Sequence, residues 1–330
     1  MIVTRTPLRI SFAGGGSDFP DYYRFAKKQG AVVSSTIDKY IYVMVKERFD
    51  EKIVAHYSKL ESVDEVAELQ HGLIREALRL TNITRGIEIS TTAEVPSTGT
   101  GLGSSSAMTV GLLHALHIYN GCLPTKEQLA QEACNIEIDI LGSPIGKQDQ
   151  YAASHGGLNL IIFRSLCGVD EILVERLNFD KSVETKLQQN LMLFYTGISK
   201  DSNKILSESK ANMKEKIKIV DGIKALVNQL LISLNKGWLE QFGEILDFGW
   251  ELKKQMASGI TNEKIDEIYK RAVDAGADGG KITGSGGGGF LLLYCPLEDQ
   301  DRVRKALSDL RELPFNLETQ GTSVIFNTGP

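Results

Sequence analysis

Residues Pro96-Ser-Thr-Gly-Thr-Gly-Leu-Gly-Ser-Ser-Ser-Ala107 decide how this chain is read. Upstream, Ile87 to Val95 alternates apolar and polar positions in the manner of a half-buried strand. Downstream, Met108 to Tyr119 is a mostly apolar run with small residues, expected as a buried helix. Strand, Gly/Ser loop and helix in that order make an anion cradle. Glycines admit a phosphate close to the backbone, and the free N–H groups of the helix start face it. The order Gly-x-x-x-x-Gly-Lys-Ser/Thr is missing, so this is no P-loop, and no third glycine is spaced for a dinucleotide fingerprint. A plain serine-capped turn would need less glycine and serine than stands here. With no lysine in the loop, phosphate charge must be met by a metal and by cations elsewhere. Serine hydroxyls are hard oxygen ligands of the kind Mg²⁺ prefers. A second run, Gly284-Ser-Gly-Gly-Gly-Gly289, is enclosed by Lys281-Ile-Thr283 and an apolar stretch from Phe290, which marks a structured loop rather than a linker. Two such loops point to a nucleoside triphosphate.

Four further side chains are candidates for chemistry. Arg9 sits on the strand expected over Ile2–Phe12, which leads into Gly14-Gly-Gly16, and can neutralise charge on a transferring phosphoryl group or remain a surface charge. Asp18 can accept hydrogen bonds from sugar hydroxyls or close an Asx-turn. Glu137 and Asp139 lie on a helix expected from the Thr125-Lys-Glu-Gln128 capping box to about Leu141; an inward carboxylate there would need a metal beside phosphates. Asp149, in Gly146-Lys-Gln-Asp-Gln-Tyr151, is either a helix cap or a base for a hydroxyl attacking a γ-phosphate. His114 and His117, on the apolar helix, are read as packed side chains.

The 330 residues suggest about two domains. A formal net charge of −5 argues against nucleic acid or an anionic membrane as partner. Cys122, Cys134, Cys167 and Cys295 have no metal spacing and read as buried thiols of a reducing compartment. Met1–Pro7 lacks a signal-type apolar core and no stretch nears ~18 apolar residues, so a cytoplasmic location is expected. Strands are also expected over Ala31–Arg48, Gly157–Phe163, Leu191–Tyr195, Phe290–Tyr294 and Thr322–Phe326. Helices are expected over Val63–Leu80, from Ser199 or Asp201 toward Met256 with a break near Gly237, over Asn262–Ala275 and over Asp301–Leu310. Without a regular βαβ repeat this is an α+β chain in two lobes, 1–175 and 176–330.

Taken together, the chain resembles the GHMP kinase superfamily through three ordered motifs: Thr6-Pro-Leu-Arg-Ile-Ser-Phe-Ala-Gly-Gly-Gly-Ser-Asp18, Pro96 to Ala107, and Lys281-Ile-Thr-Gly-Ser-Gly-Gly-Gly-Gly289. The resemblance implies the two-lobed fold of that superfamily, with a ribosomal protein S5 domain 2-like N-lobe and a ferredoxin-like C-lobe. It implies ATP and Mg²⁺ as cofactors and a small sugar or sugar phosphate as partner, in a monomer or homodimer. By position, Ser105 and Glu137 match the Mg²⁺ ligands, Asp149 the general base, Arg9 the polarising cation and Asp18 the sugar-hydroxyl acceptor, with Gly15, Gly16 and Ser17 beside it. Pro96, Gly99, Gly101, Leu102, Gly103, Ser104, Ser106, Gly284, Gly286 and Gly287 match nucleotide-binding positions. Gly14-Gly-Gly-Ser-Asp18 departs from the galactokinase motif, and with Pro144-Ile-Gly-Lys-Gln-Asp-Gln-Tyr151 resembles the D-glycero-D-manno-heptose 7-phosphate kinases, with fucokinase domains next. That implies phosphorylation of an anomeric hydroxyl to a heptose 1,7-bisphosphate. A kinase of a free sugar, or a non-catalytic sugar and nucleotide sensor, are the alternatives. Arg5, Lys39, Tyr195–Lys200 and Lys204 are the candidates for holding a distal phosphate.

Overall fold

The computed structural model describes residues 1–24, 28–96, 99–199 and 201–329. Its first sheet is built on β1 (Ile2–Ala13) and the long β2 (Gly30–Glu47), paired antiparallel along their whole length. Pro7 has no N–H to donate, and there the register slips, Pro7 opposing Tyr40 and Leu8 opposing Ile37. Pro7 thus marks an irregularity inside the sheet rather than an edge. The hairpin β3 (Ile53–His56) and β4 (Leu60–Val63) extends this sheet beyond β5 (Ile87–Ala93), while β6 (Asn159–Leu166) and β7 (Val169–Arg176) add to the other end of β2. The second sheet, in the order β11 (Arg311–Glu312), β8 (Leu191–Tyr195), β10 (Phe290–Tyr294), β9 (Gly279–Ile282), is wholly antiparallel. The last strands, β12 (Leu317–Glu318) and β13 (Ser323–Asn327), return to pair with β2 and β1. The chain therefore crosses back over the division expected at residues 175 and 176.

Helices α1 (Pro20–Tyr23), α2 (Gly72–Leu80), α3 (Ser104–Tyr119), α4 (Lys126–Cys134) and α5 (Gln148–His155) belong with the first sheet. Helices α6 (Lys181–Asn190), α7 (Ser202–Ala211), α8 (Ile217–Lys236), α9 (Glu240–Lys254), α10 (Glu263–Asp274) and α11 (Gln300–Ala306) complete the second half. Helix α3 is buried along its apolar body from Ala107 to Leu113, as its composition demands. Helices α8 and α9 pack between the sheets, where Phe12 of β1 meets Phe242 of α9 edge-on at 5.2 Å and Phe242 meets Tyr294 of β10 at 5.3 Å. Two apolar clusters result, each drawing side chains from both halves.

Three expectations need correction. The run Val63–Leu80 is α-helical only from Gly72, with a short 3₁₀ turn at Val66–Glu68 before it, and Leu60–Val63 is drawn into pairing with β3. Helix α4 ends at Cys134 and continues as a π-helical turn, Asn135–Ile140; the widened turn buries Glu137 and leaves Asp139 exposed. Only Cys134 and Cys295 are buried; Cys122 and Cys167 are exposed. His114 and His117 are packed as expected, His114 3.1 Å from Thr322 Oγ1 and His117 2.6 Å from Glu132 Oε2. Among the described residues, no helix is long and apolar enough to cross a membrane.

Candidate active site

The Gly/Ser loop ends at Gly103, whose φ of +78° an L side chain rarely adopts, and α3 starts at Ser104. The N–H groups of the first helical turn have no intrahelical acceptor and open into a cleft with the Ser104 and Ser105 hydroxyls. The remote glycine run closes one wall. Thr283 Oγ1 donates to Thr100 O at 2.9 Å, and a Cβ on Gly101 (φ +70°) would lie 2.5 Å from Thr283 O. That contact is possible only between bare backbones.

Arg9, buried on β1, donates from Nε and Nη2 to the two carboxylate oxygens of Asp149 at 2.7 and 2.6 Å, and from Nη1 to Gly101 O at 2.6 Å. Such a fork fixes both groups in one plane. Asp149 lies in the first turn of α5, partly exposed at the junction of two cavities. One is the cleft along the loop, reaching Glu137, Ser199 and Asn203. The other runs between β1 and helices α8 and α9, past Asp18, Phe19, Lys253 and Lys281. A third hollow beside Ser104 and Ser105 is lined by Ile41, Tyr57, Val95 and Met108.

Ser105 Oγ donates to Glu137 Oε1 at 2.7 Å, and Gln150 Nε2 donates to Glu137 Oε2 at 2.6 Å. Glu137 is 1% exposed, and burial pushes its carboxyl above the usual range. Among the described residues no cationic side chain lies within 4 Å of it, and the neighbouring Gln150 Oε1 is buried without a partner. A buried acid lacking a counter-charge, next to a cleft-facing hydroxyl, fits a hard divalent cation that keeps waters and phosphate oxygens in its remaining positions.

Asp18 is 1% exposed and holds the N-terminus of α5: Gly16 N donates to Oδ1 at 2.9 Å and Gln148 N to Oδ2 at 3.3 Å. Burial, then the nearby Asp149 charge, raise its carboxyl, against these amides. Its edge still borders the second cavity, as do Gly15 and Gly16. Ser17 does not: its hydroxyl is buried between Gly14 O at 2.8 Å and Ala31 N at 3.0 Å, locking the loop to β2.

Other expected contacts also fall elsewhere. Leu102 is fully buried in the core, contributing its carbonyl to Arg9 N at 3.0 Å; Pro96 is exposed and lines none of these cavities. Gly287 N is taken by Ile260 O at 2.7 Å and Gly286 N faces Thr283 O, so these glycines shape the loop while Gly284 and Ser285 face the cavities. Arg5 stacks over Tyr40 and Lys39 pairs with Asp38 at 2.9 Å, both away from the cavities; Lys204 is exposed outside them, and Lys200 lies outside the described residues with Ser97 and Thr98. Sequence reasoning overlooked Lys253 and Lys281. Lys253 stands in the run Glu251-Leu-Lys-Lys254, which reads as a solvated helix face, and Lys281 borders the glycine run with no local signal of its own.

Residues 65–157 match the model of the GHMP kinases N terminal domain and residues 230–312 that of the GHMP kinases C terminal, together more than half of the chain. The D-glycero-alpha-D-manno-heptose 7-phosphate kinase of Campylobacter jejuni is 28% identical over 323 residues, 93% of each chain. The galactokinase of Pyrococcus furiosus is 26% identical over 92% of this chain and 90% of its own. A crystal structure described as a D-glycero-D-manno-heptose 1-phosphate kinase from Bacteroides thetaiotaomicron superposes with a TM-score of 0.81 at 26% identity, covering all of both chains. With two facing glycine loops, a buried acid beside a serine and an Arg-held aspartate at their junction, the chain belongs to the GHMP kinase family and is a sugar kinase of it.

Proposed function

We propose that this kinase transfers the γ-phosphoryl group of ATP to the anomeric hydroxyl of D-glycero-D-manno-heptose 7-phosphate, giving the 1,7-bisphosphate, with Mg²⁺ held by Ser105 and Glu137. The observation that carries the reaction type is the position of Asp149, fixed by Arg9 where the loop cleft meets the second cavity. The similarity to a heptose 7-phosphate kinase over 93% of both chains supports the substrate. The structural neighbour described as a D-glycero-D-manno-heptose 1-phosphate kinase is likewise named for a heptose phosphate.

In this reading the triphosphate lies over the N–H groups of Ser104 to Ser106 with Gly99, Gly101 and Gly103 beneath it, and the adenine occupies the hollow lined by Ile41 and Met108. Bound Mg²⁺ supplies the positive charge that the buried Glu137 lacks and offsets that of the phosphates. Asp18 with the Gly15–Gly16 backbone orients the sugar. Asp149 accepts the proton of the attacking hydroxyl as the new O–P bond forms and the bond to the bridging oxygen of ADP breaks. Arg9 holds that carboxylate in line and offsets charge at the transferring group. The test is an ATP-consumption screen over phosphorylated and free sugars, with the product's phosphate positions read by ³¹P NMR. Preferred turnover of free fucose or galactose would replace the heptose phosphate, and ATP and sugar binding without turnover would replace the kinase with a sensor.

A further inference from the structure

The second cavity carries more positive charge than the phosphoryl-transfer reading uses. Arg9 is consumed by Asp149 and Gly101 O, and Asp18 is held by two backbone amides. That leaves Lys253, half-buried at the end of α9, and Lys281, buried on β9. The only hydrogen-bond acceptors either has among the described residues are backbone carbonyls, Gly284 O for Lys253 and Phe12 O at 3.4 Å for Lys281. No carboxylate among those residues comes within 4 Å of either ammonium. Each ammonium has three donors and here uses one. The carboxylates lining this cavity are engaged elsewhere, Asp149 by Arg9 and Asp18 by backbone amides, so the two ammonium groups pair with neither; that arrangement is costly to keep, and an occupant that brings negative charge offsets the cost. Much of the remaining wall is apolar, with Met213, Val220, Ile223 and Ile260, so charge inside it is poorly screened.

A sugar hydroxyl cannot supply that charge; a phosphate, carrying about −1.5 to −2 at neutral pH, can, and accepts several charge-assisted hydrogen bonds at once. The nucleotide is one source of phosphate and the acceptor the other. Neither lysine lines the cleft along the Gly/Ser loop; both line the cavity beyond Asp149 and Arg9. We propose that Lys253 and Lys281 form the subsite for a phosphate group already carried by the acceptor, at a carbon other than the one being phosphorylated, and so select phosphorylated over free sugars. The assignment rests on the sugar-kinase reading of this site and replaces Arg5, Lys39 and Lys204 in that role. Burial first and then neighbouring cations lower the basicity of both ammonium groups, with Asp18 opposing this at Lys253, which accords with cations paired to no carboxylate.

Steady-state kinetics of the wild type, Lys253→Gln and Lys281→Gln, with D-glycero-D-manno-heptose 7-phosphate and the free heptose as acceptors, test this. In each variant the KM for the heptose phosphate should rise tenfold or more while the KM for ATP moves less than threefold. The ratio of kcat/KM for phosphorylated over free heptose should fall at least tenfold, and Lys253→Arg should recover part of it. Inorganic phosphate should inhibit the wild type competitively against the heptose phosphate, a readout that needs no variant to fold. A KM for ATP that rises as much as that for the sugar would assign the lysines to the nucleotide. Equal losses on both acceptors would make them braces of the Gly284 loop, and absence of phosphate competition would empty the subsite. Each of these overturns the lysine assignment while leaving the heptose phosphate as substrate. A wild type that prefers the free heptose would instead overturn the substrate reading and this inference with it.

Discussion

Arg9 and Asp149, 140 residues apart in sequence, meet through two parallel hydrogen bonds of 2.7 and 2.6 Å at the boundary between the loop cleft and the second cavity. One strand brings the cation and the first turn of α5 the acid, so each orients the other. For Asp149→Asn we expect turnover to fall by about 10²- to 10⁴-fold, the range of a lost general base. The thermal midpoint should move by only a few degrees, since the amide still accepts from Arg9. The double variant with Arg9→Met should lose far less than the product of the single effects, because the two act as a unit. Coupled-assay kcat and thermal melts read all three.

Glu137 should set catalysis against stability. Its carboxyl is raised by burial, so ionisation costs folding free energy above the raised value and costs nothing once the group is protonated below its ordinary one. Glu137→Gln removes that penalty and lets the unpartnered Gln150 Oε1 accept from the new amide after a flip. At pH 8 the variant should be more stable by roughly 1–2 kcal/mol, the gain shrinking as the pH falls. It should at the same time lose nearly all Mg²⁺-dependent turnover and any Mg²⁺-induced rise in melting temperature. Urea melts at two pH values with parallel rate assays decide it.

Gly101→Ala should damage the nucleotide site through the backbone. The residue sits at φ +70°, and its new methyl would stand 2.5 Å from Thr283 O in the facing loop. Strain and overlap together cost about 1–3 kcal/mol, and the displaced loop should raise the KM for ATP more than that for the sugar. Wild-type urea stability and KM for ATP in this variant would show that the loops do not depend on each other.

The acceptor's affinity should follow the charge of Lys281. Burial, then Arg9, pull its ammonium down to about 8. Below that pH the charged form is present and anchors a phosphate; above it the free amine does not. KM for a phosphorylated sugar should therefore climb as pH passes upward through about 8, and Lys281→Gln should flatten the rise. For the unliganded protein the sign is the reverse. A lysine with a depressed folded value costs stability most below that value, and the cost fades as pH approaches the ordinary value of the free side chain. Melting curves without substrate should thus improve between pH 7.5 and pH 9.

What was legible in the residues was local. Alternation marked Ile87–Val95 as a strand, β-rich composition marked Ala31–Arg48, Thr125 announced the helix at Lys126, and the glycine and serine pattern announced an anion cradle before Ser104, because each signal lies within one turn or one strand. Local patterns did not separate Glu137 from Asp139, since a π-helical turn rotates one inward and the other out. They did not pair Leu60–Val63 with β3, find β7, or send the last strands back to β1 and β2, because strand partners are chosen by distant neighbours. They also did not single out Lys253 and Lys281 as lining the second cavity. Charge in a sequence carries no direction; only the packing of α9 and β9 against β1 turns Lys253 and Lys281 into one pocket while leaving Arg5 on Tyr40. The sequence alone determined the materials, two glycine-rich loops with the candidate acids Glu137 and Asp149 and the cation Arg9. The tertiary structure decided where they meet and which side chains line the second cavity, because those depend on contacts between residues hundreds of positions apart.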